Sequence, residues 1–177
     1  MLRITGGYLK GRRVKGPPGR GTRPTTSVVR KAVFDVLEVG GKSFLELFCG
    51  SCVVSIEALS RGASEAAVVD ISIKAIRTCR ENLRDLGLLD MVRIYRADAM
   101  GFVKSAGRSF DVVFMDPPYD RGLVSRVLLS MNPFLLTDEA KVVVEKSRRE
   151  EIEVPDFLVE IFRREYGDSV VLIFEKR

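Results

Sequence analysis

Residues 43–70 read "SFLELFCGSCVVSIEALSRGASEAAVVD", and the punctuation of that stretch decides the fold. The first six residues, "SFLELF", form an apolar run of strand length. Gly50, flanked by the small Cys49 and Ser51, permits a tight turn. "VVSIEALSRG" (53–62) then reads as a helix that stops at Gly62, and "EAAVVDI" (65–71) as a second strand. Strand, tight turn, helix and strand make a crossover unit whose two strands lie parallel in one sheet.

The alternation continues outward. Ser72 can cap a helix carrying Ile73, Ile76, Cys79, Leu83 and Leu86 at helical spacing, stopped by Gly87. "MVRIYRA" (91–97), "FDVVFM" (110–115) and "AKVVVEK" (140–146) read as strands, with a helix around 122–131. The final stretch, "FLVEIFRREYGDSVVLIFEK", reads as two strands turning at Gly167-Asp168. Toward the N-terminus, Thr26 or Ser27 opens a helix running to about Glu38, with Val29, Val33, Val36 and Leu37 as its apolar face. Residues 2–15 suggest a small hairpin around Gly6-Gly7 or Gly11, and residues 16–25 an extended Pro/Gly-rich segment. The expected architecture is α/β: a mostly parallel seven-stranded, Rossmann-like sheet closed by a C-terminal antiparallel hairpin. One domain is expected over 1–177, with a basic extension (1–25) on a core (26–177).

Charge is distributed unevenly. The net charge is +5, yet residues 1–31 hold nine cations and no acid, so the other 146 residues carry 5 − 9 = −4. A basic arm on a mildly acidic body points to a polyanion, with Lys/Arg contacts that grip a nucleic-acid backbone. No apolar run approaches the ~20 residues needed to cross a bilayer, and "MLRITGGYLKGRR" lacks the apolar stretch of a secretion signal. Three cysteines are few and odd in number, which argues against a disulfide framework and for a reduced, cytoplasmic protein. Cys49 and Cys52 have C-x-x-C spacing, but there is no histidine and only Cys79 besides. They read as small residues in a tight loop, with no metal site.

Folds of this class bind ligands beyond the carboxyl ends of their strands, so the residues just after the apolar runs carry the chemistry. Glu46, Asp70 and Asp98 stand at or near the ends of the first three core strands. Asp70 is placed to accept hydrogen bonds from ribose hydroxyls, and Asp98 from an adenine amine. The helix start beyond Gly50 and Ser51 favours an anionic group. The fourth core strand ends in "DPPY", Asp116 to Tyr119. Two prolines stiffen the turn, so its carbonyls can face the pocket, and Tyr119 offers a face for a planar ring. An exocyclic amine is a poor nucleophile while its lone pair is delocalised into the ring. Acceptors at Asp116 and the Pro117 carbonyl favour a pyramidal nitrogen and stabilise the charge that develops as it attacks.

These residues resemble the class I S-adenosylmethionine-dependent methyltransferases that act on exocyclic amines. "ITGGYLKGRRVKGP", "TRPTTSVVRKAVFDVL", "ELFCGSCVVSIEALSRGAS" and "FDVVFMDPPYDRG" together resemble the RsmD family, over most of the chain. That resemblance implies methylation of guanine N2 in 16S ribosomal RNA, on a small subunit or its assembly intermediate. It implies cofactor contacts at Glu46, Phe48, Gly50, Ser51, Asp70, Asp98 and Ala99, and catalysis by Asp116, Pro117, Pro118 and Tyr119. Lys10, Arg12, Arg13, Arg20, Arg23, Thr25 and Arg30 are the expected RNA contacts. The cofactor loop departs from the family's usual D-L-F-A-G-S-G at Glu46, Cys49 and Cys52; a left-handed conformation at the last position would strain a cysteine. Two other readings are carried: an amino methyltransferase acting on adenine N6 in DNA or RNA, and a non-catalytic RNA-binding or assembly factor on the same fold.

Overall fold

The structure, a computed structural model, describes residues 1–17, 19, 25–119 and 121–177. An N-terminal hairpin pairs β1 (Leu2–Arg3) antiparallel with β2 (Arg13–Val14). The core then alternates: α1 (Ser27–Val36), β3 (Ser43–Leu47), α2 (Val53–Ser60), β4 (Glu65–Asp70), α3 (Ile73–Asp85), β5 (Val92–Arg96), α4 (Ala99–Ser105), β6 (Phe110–Met115), α5 (Leu123–Ser130), β7 (Leu136–Ser147), β8 (Leu158–Tyr166) and β9 (Ser169–Lys176).

Seven strands form one sheet in the order β5-β4-β3-β6-β7-β9-β8. The first five are parallel to their neighbours, while β9 runs antiparallel to both β7 and β8. The central strands are covered on both faces, which is why they read as nearly unbroken apolar runs: Phe44, Leu45, Val68, Val69, Val112 and Val113 are fully buried. The edge strand β8 keeps Glu160, Arg163 and Arg164 in solvent, which discourages pairing with another chain.

One face of the sheet is covered by α1, α2 and α3 and by the hairpin, whose Ile4, Leu9 and Val14 join the buried cluster. The other face carries α4 and α5. The N-terminal extension is therefore seated on the core. Its anchor is Glu57 on α2, fully buried, whose carboxylate accepts hydrogen bonds from the Thr5 amide (2.9 and 3.0 Å) and hydroxyl (2.5 Å). Glu57 also ion-pairs with Arg61 (3.3 Å) and Arg30 (3.6 Å). Gly7 sits against the end of α2 at φ +75°, where a Cβ would lie 1.8 Å from the Ser60 carbonyl oxygen; only glycine fits there.

Three expectations change. The buried face of α1 is Val29, Arg30, Val33 and Phe34, with Val36 exposed, because α1 packs through Arg30 toward Glu57. α4 stands between β5 and β6 where no helix was expected. β7 begins at Leu136, with a register shift opposite Phe110/Val112 and Glu139 at φ +60°.

Candidate active site

Strand order reverses between β3 and β6, and the carboxyl ends of β3, β4 and β6 open there into a cavity of about 620 Å³. This is where a parallel sheet leaves a crevice between loops that depart to opposite faces. Its lining includes Glu46, Gly50, Asp70, Asp98, Asp116 and Tyr119, residues spread over 74 positions and gathered by the topology alone.

The loop after β3 coils tightly because Phe48, Gly50 and Cys52 all adopt left-handed backbone, at φ +56°, +52° and +53°. Cys52 thus occupies the conformation that disfavours a side chain. It is tied down covalently: Cys52 and Cys79, on α3, form a disulfide, both fully buried. This corrects the expectation of three reduced cysteines. The partner of Cys52 is Cys79, across the core, and not its C-x-x-C neighbour. Cys49 remains a buried free thiol whose pKa is pushed up, chiefly by burial. Among the described residues no group of three or more candidate ligands for a metal ion is found.

Glu46 lies beneath the first turn of α2. Its carboxylate accepts from the Ser55 amide (2.8 Å) and hydroxyl (2.5 Å), satisfying a donor that a helix start otherwise leaves open. Burial, opposed by those hydrogen bonds, pushes its pKa up to about 8. The longer acid therefore keeps a carboxyl in the site, but a largely neutral one at pH 7.

Asp70 braces two loops. One oxygen accepts from the Gly50 amide (3.0 Å), the other from the Ser72 amide (2.8 Å). Asp98 caps α4 by accepting from the Gly101 amide at 2.9 Å. Each carboxylate oxygen offers further acceptor capacity toward the cavity. Phe48 and Ser51 also line the cavity, whereas Ala99 does not; its side chain is packed into the core face beneath α4.

Asp116, Pro117, Pro118 and Tyr119 all line the cavity. The Thr25 hydroxyl donates to Asp116 Oδ2 at 2.9 Å. The Tyr119 hydroxyl lies 3.2 Å from Glu145 Oε1 and 3.0 Å from Ser169 Oγ. It is fixed from β7 and the start of β9, which sets the plane of its ring. Burial pushes the phenol up to about 12, so it stays protonated at neutral pH.

The expected RNA contacts divide. Lys10, Arg12 and Arg13 are exposed on the hairpin. Arg20 and Arg23 lie outside the described residues. Arg30 is corrected: at 1% exposure it cannot reach a ligand, and it donates to the Thr25 carbonyl (2.5 Å) and the Arg3 carbonyl (2.8 Å). Thr25 is largely buried and lines the cavity, where its hydroxyl meets Asp116, away from the exposed cations of the hairpin. Sequence reasoning missed Glu145, although an acid inside the buried run "VVVEK" was a visible signal. It also missed the Glu57–Arg30–Thr25 path beneath Asp116, for which no local pattern exists.

A family model described as "Conserved hypothetical protein 95" matches residues 2–175. A Bacillus subtilis (strain 168) protein named "Putative rRNA methyltransferase YlbH" is 35% identical over 185 residues, 99% of this chain and 100% of its own. "Ribosomal RNA small subunit methyltransferase D" of Escherichia coli (strain K12) is 35% identical over 149 residues, 82% of this chain and 74% of its own. A solved structure described as "Putative methyltransferase yhhF from Escherichia coli" superposes with a TM-score of 0.88 at 29% identity, covering 99% of this chain and 98% of that one.

Proposed function

The chain belongs to the RsmD family, and from that premise we propose that it methylates the exocyclic N2 amine of a guanine in 16S ribosomal RNA, using S-adenosylmethionine. The observation that carries the reading is the Asp116–Tyr119 turn, facing the switch-point cavity with Asp116 held by Thr25 and Tyr119 held by the sheet.

The residues present fit the cofactor. A cavity of about 620 Å³ is within the usual range for a ligand of this size, and its acids come from three successive strand ends. Asp70 would hold the ribose hydroxyls and Asp98 the adenine amine, with Gly50 and Ser51 giving close backbone approach. Glu46 would face the cationic end of the molecule. When bound, S-adenosylmethionine supplies a methyl group activated by its sulfonium.

The chain's own work is alignment. Tyr119 would stack on the guanine. The Asp116 carboxylate and the Pro117 carbonyl would accept the two amine hydrogens, turning the nitrogen lone pair toward the methyl group and stabilising the charge that builds on it. The Thr25 hydroxyl donates to Asp116 Oδ2, which helps fix the carboxylate plane beside the amine. After transfer the nitrogen carries an extra proton, which passes to Asp116 or to water. A base that is paired or stacked must first be turned out into the pocket. Exposed Lys10, Arg12 and Arg13 would grip the surrounding backbone.

The test is transfer of a labelled methyl group to unmodified small subunits, naked 16S RNA and DNA, with Asp116→Ala as control. Label on the ribosomal acceptors that disappears in the variant is expected. Label on DNA alone would overturn the assignment of substrate. Absence of both transfer and cofactor binding would leave an RNA-binding or assembly factor.

A further inference from the structure

Outside the site, the most unusual surface is the solvent face of α3. At 100° per residue, Arg77, Arg80 and Arg84 fall within an arc of about 60°, opposite the buried Ala75, Ile76, Cys79 and Leu83. All three arginines are exposed, as is Lys74 in the first turn. That turn carries no acid, although a helix start favours negative charge. Arg80 stands three residues from Arg77 and four from Arg84, spacings at which like charges destabilise a helix by about 0.2–0.5 kcal/mol per pair. The acid on this face, Glu81, is already engaged by Lys15 at 2.6 Å. Arg84 lies 3.7 Å from the exposed, neighbouring Asp85 and interacts electrostatically with Glu81. Among the described residues, Arg77 and Arg80 form no ion pair, so the helix bears a repulsive stripe that the described part of the protein leaves largely unneutralised.

The stripe stands out against the rest of the body. Residues 71–96 hold six cations and three acids, +3. Residues 32–177 total −4, so the remainder of the body is −4 − 3 = −7. The stripe is also joined to the N-terminal hairpin. Lys15 donates its amide to Asn82 on α3 (2.9 Å), Asn82 returns a hydrogen bond to the Lys15 carbonyl (3.0 Å), and Lys15 Nζ meets Glu81. The start of α3 reaches the cavity through Ser72 and Ala75.

We propose that Arg77, Arg80 and Arg84 form a second RNA-phosphate contact, continuous with the hairpin, which extends the substrate footprint along α3 away from the cavity. The proposal rests on the reading that the substrate is RNA. Such contacts are independent of sequence and serve to position the RNA. Each phosphate neutralised adds about 0.7–0.9 to the slope of log affinity against log salt.

The test compares Arg77→Ala/Arg80→Ala/Arg84→Ala with a control of equal charge change on the opposite sheet face and beyond, Lys104→Ala/Arg126→Ala/Arg149→Ala. The probe is a fluorescein-labelled fragment of small-subunit ribosomal RNA, with affinity read by anisotropy from 50 to 300 mM salt. The stripe variant is expected to bind about tenfold more weakly at 150 mM, with a salt slope shallower by about two. Its melting temperature should be no lower than that of wild type, since the mutual repulsion of the arginines is relieved, and its S-adenosylmethionine affinity should match wild type. Losses equal to those of the control, or no RNA binding by the wild type, would overturn the proposal. Methyl transfer is measured in parallel. A wild type that binds RNA but methylates none would count against the function proposed above, while the difference between the two triple variants would still decide the stripe.

Discussion

Thr25 reaches Asp116 from a segment that looked like part of an RNA-gripping arm. A hydrogen bond to a charged group contributes about 1.5–3 kcal/mol, so losing one that matters in the transition state slows a reaction by about ten- to a hundredfold. Thr25→Val is therefore expected to lower kcat at least tenfold while leaving S-adenosylmethionine affinity unchanged; Thr25→Ser should restore most of the rate. Equal kcat for Val and wild type would remove Thr25 from the mechanism. Glu46 makes a prediction in pH. Its folded pKa is about 8 against an ordinary 4.5. The sign is that of a raised acid: its contribution to the stability of the free protein is full below pH 4.5 and is lost as pH rises through 8. A cationic ligand reverses the preference, because it favours the carboxylate. Cofactor affinity should increase as pH rises toward 8, with proton release at pH 7 seen by calorimetry in two buffers of different ionisation enthalpy. Glu46→Gln should abolish that release, and a pH-independent affinity in wild type would contradict the assignment.

At the scale of elements, two unforeseen links hold the site's framework. The Cys52–Cys79 disulfide spans 27 residues, and closing a loop of that size is expected to contribute about 3–4 kcal/mol. Cys79→Ala should lower the melting temperature in the absence of reductant, and dithiothreitol should bring wild type to the same value. Wild type indifferent to reductant would show that the link does not form in solution. The second link is Glu57, which ties the hairpin and α1 to α2. Glu57→Ala would leave Arg30 buried without its partner, at a cost of about 3–5 kcal/mol, and should expose the N-terminal hairpin to proteolysis before the core. Neither link was legible. Cys52 and Cys79 looked like a small loop residue and a helix core residue, and each of those readings is correct locally. Arg30 read as an RNA-contacting cation because Glu57 lies 27 positions away, in another helix. α4 escaped notice because its seven residues include Gly101 and its start depends on the Asp98 cap. The early start of β7 depends on a bulge at Glu139, which apolar periodicity does not encode.

Over the whole molecule, what was legible is what the sheet dictates. Buried parallel strands must be apolar on both faces, so their runs and their endings are visible; the endings carry Asp70, Asp98 and Asp116. Glu46, inside its strand, was legible from the same run. The sequence also showed a cationic N-terminus, and the structure adds that this extension shares the core. Its apolar Ile4, Leu9 and Val14 were hidden among glycines and cations. In the proposed reading, substrate recognition would combine a pocket at the switch point with cationic surfaces on the hairpin and α3. The measurement that tests this account most directly is identification of the methylated nucleoside. Small subunits lacking the modification would be incubated with the protein and S-adenosylmethionine, their RNA digested to nucleosides, and the products separated by mass-spectrometric chromatography. The account predicts N2-methylguanosine, lost in Asp116→Ala. N6-methyladenosine, with no methylated guanosine, would contradict it.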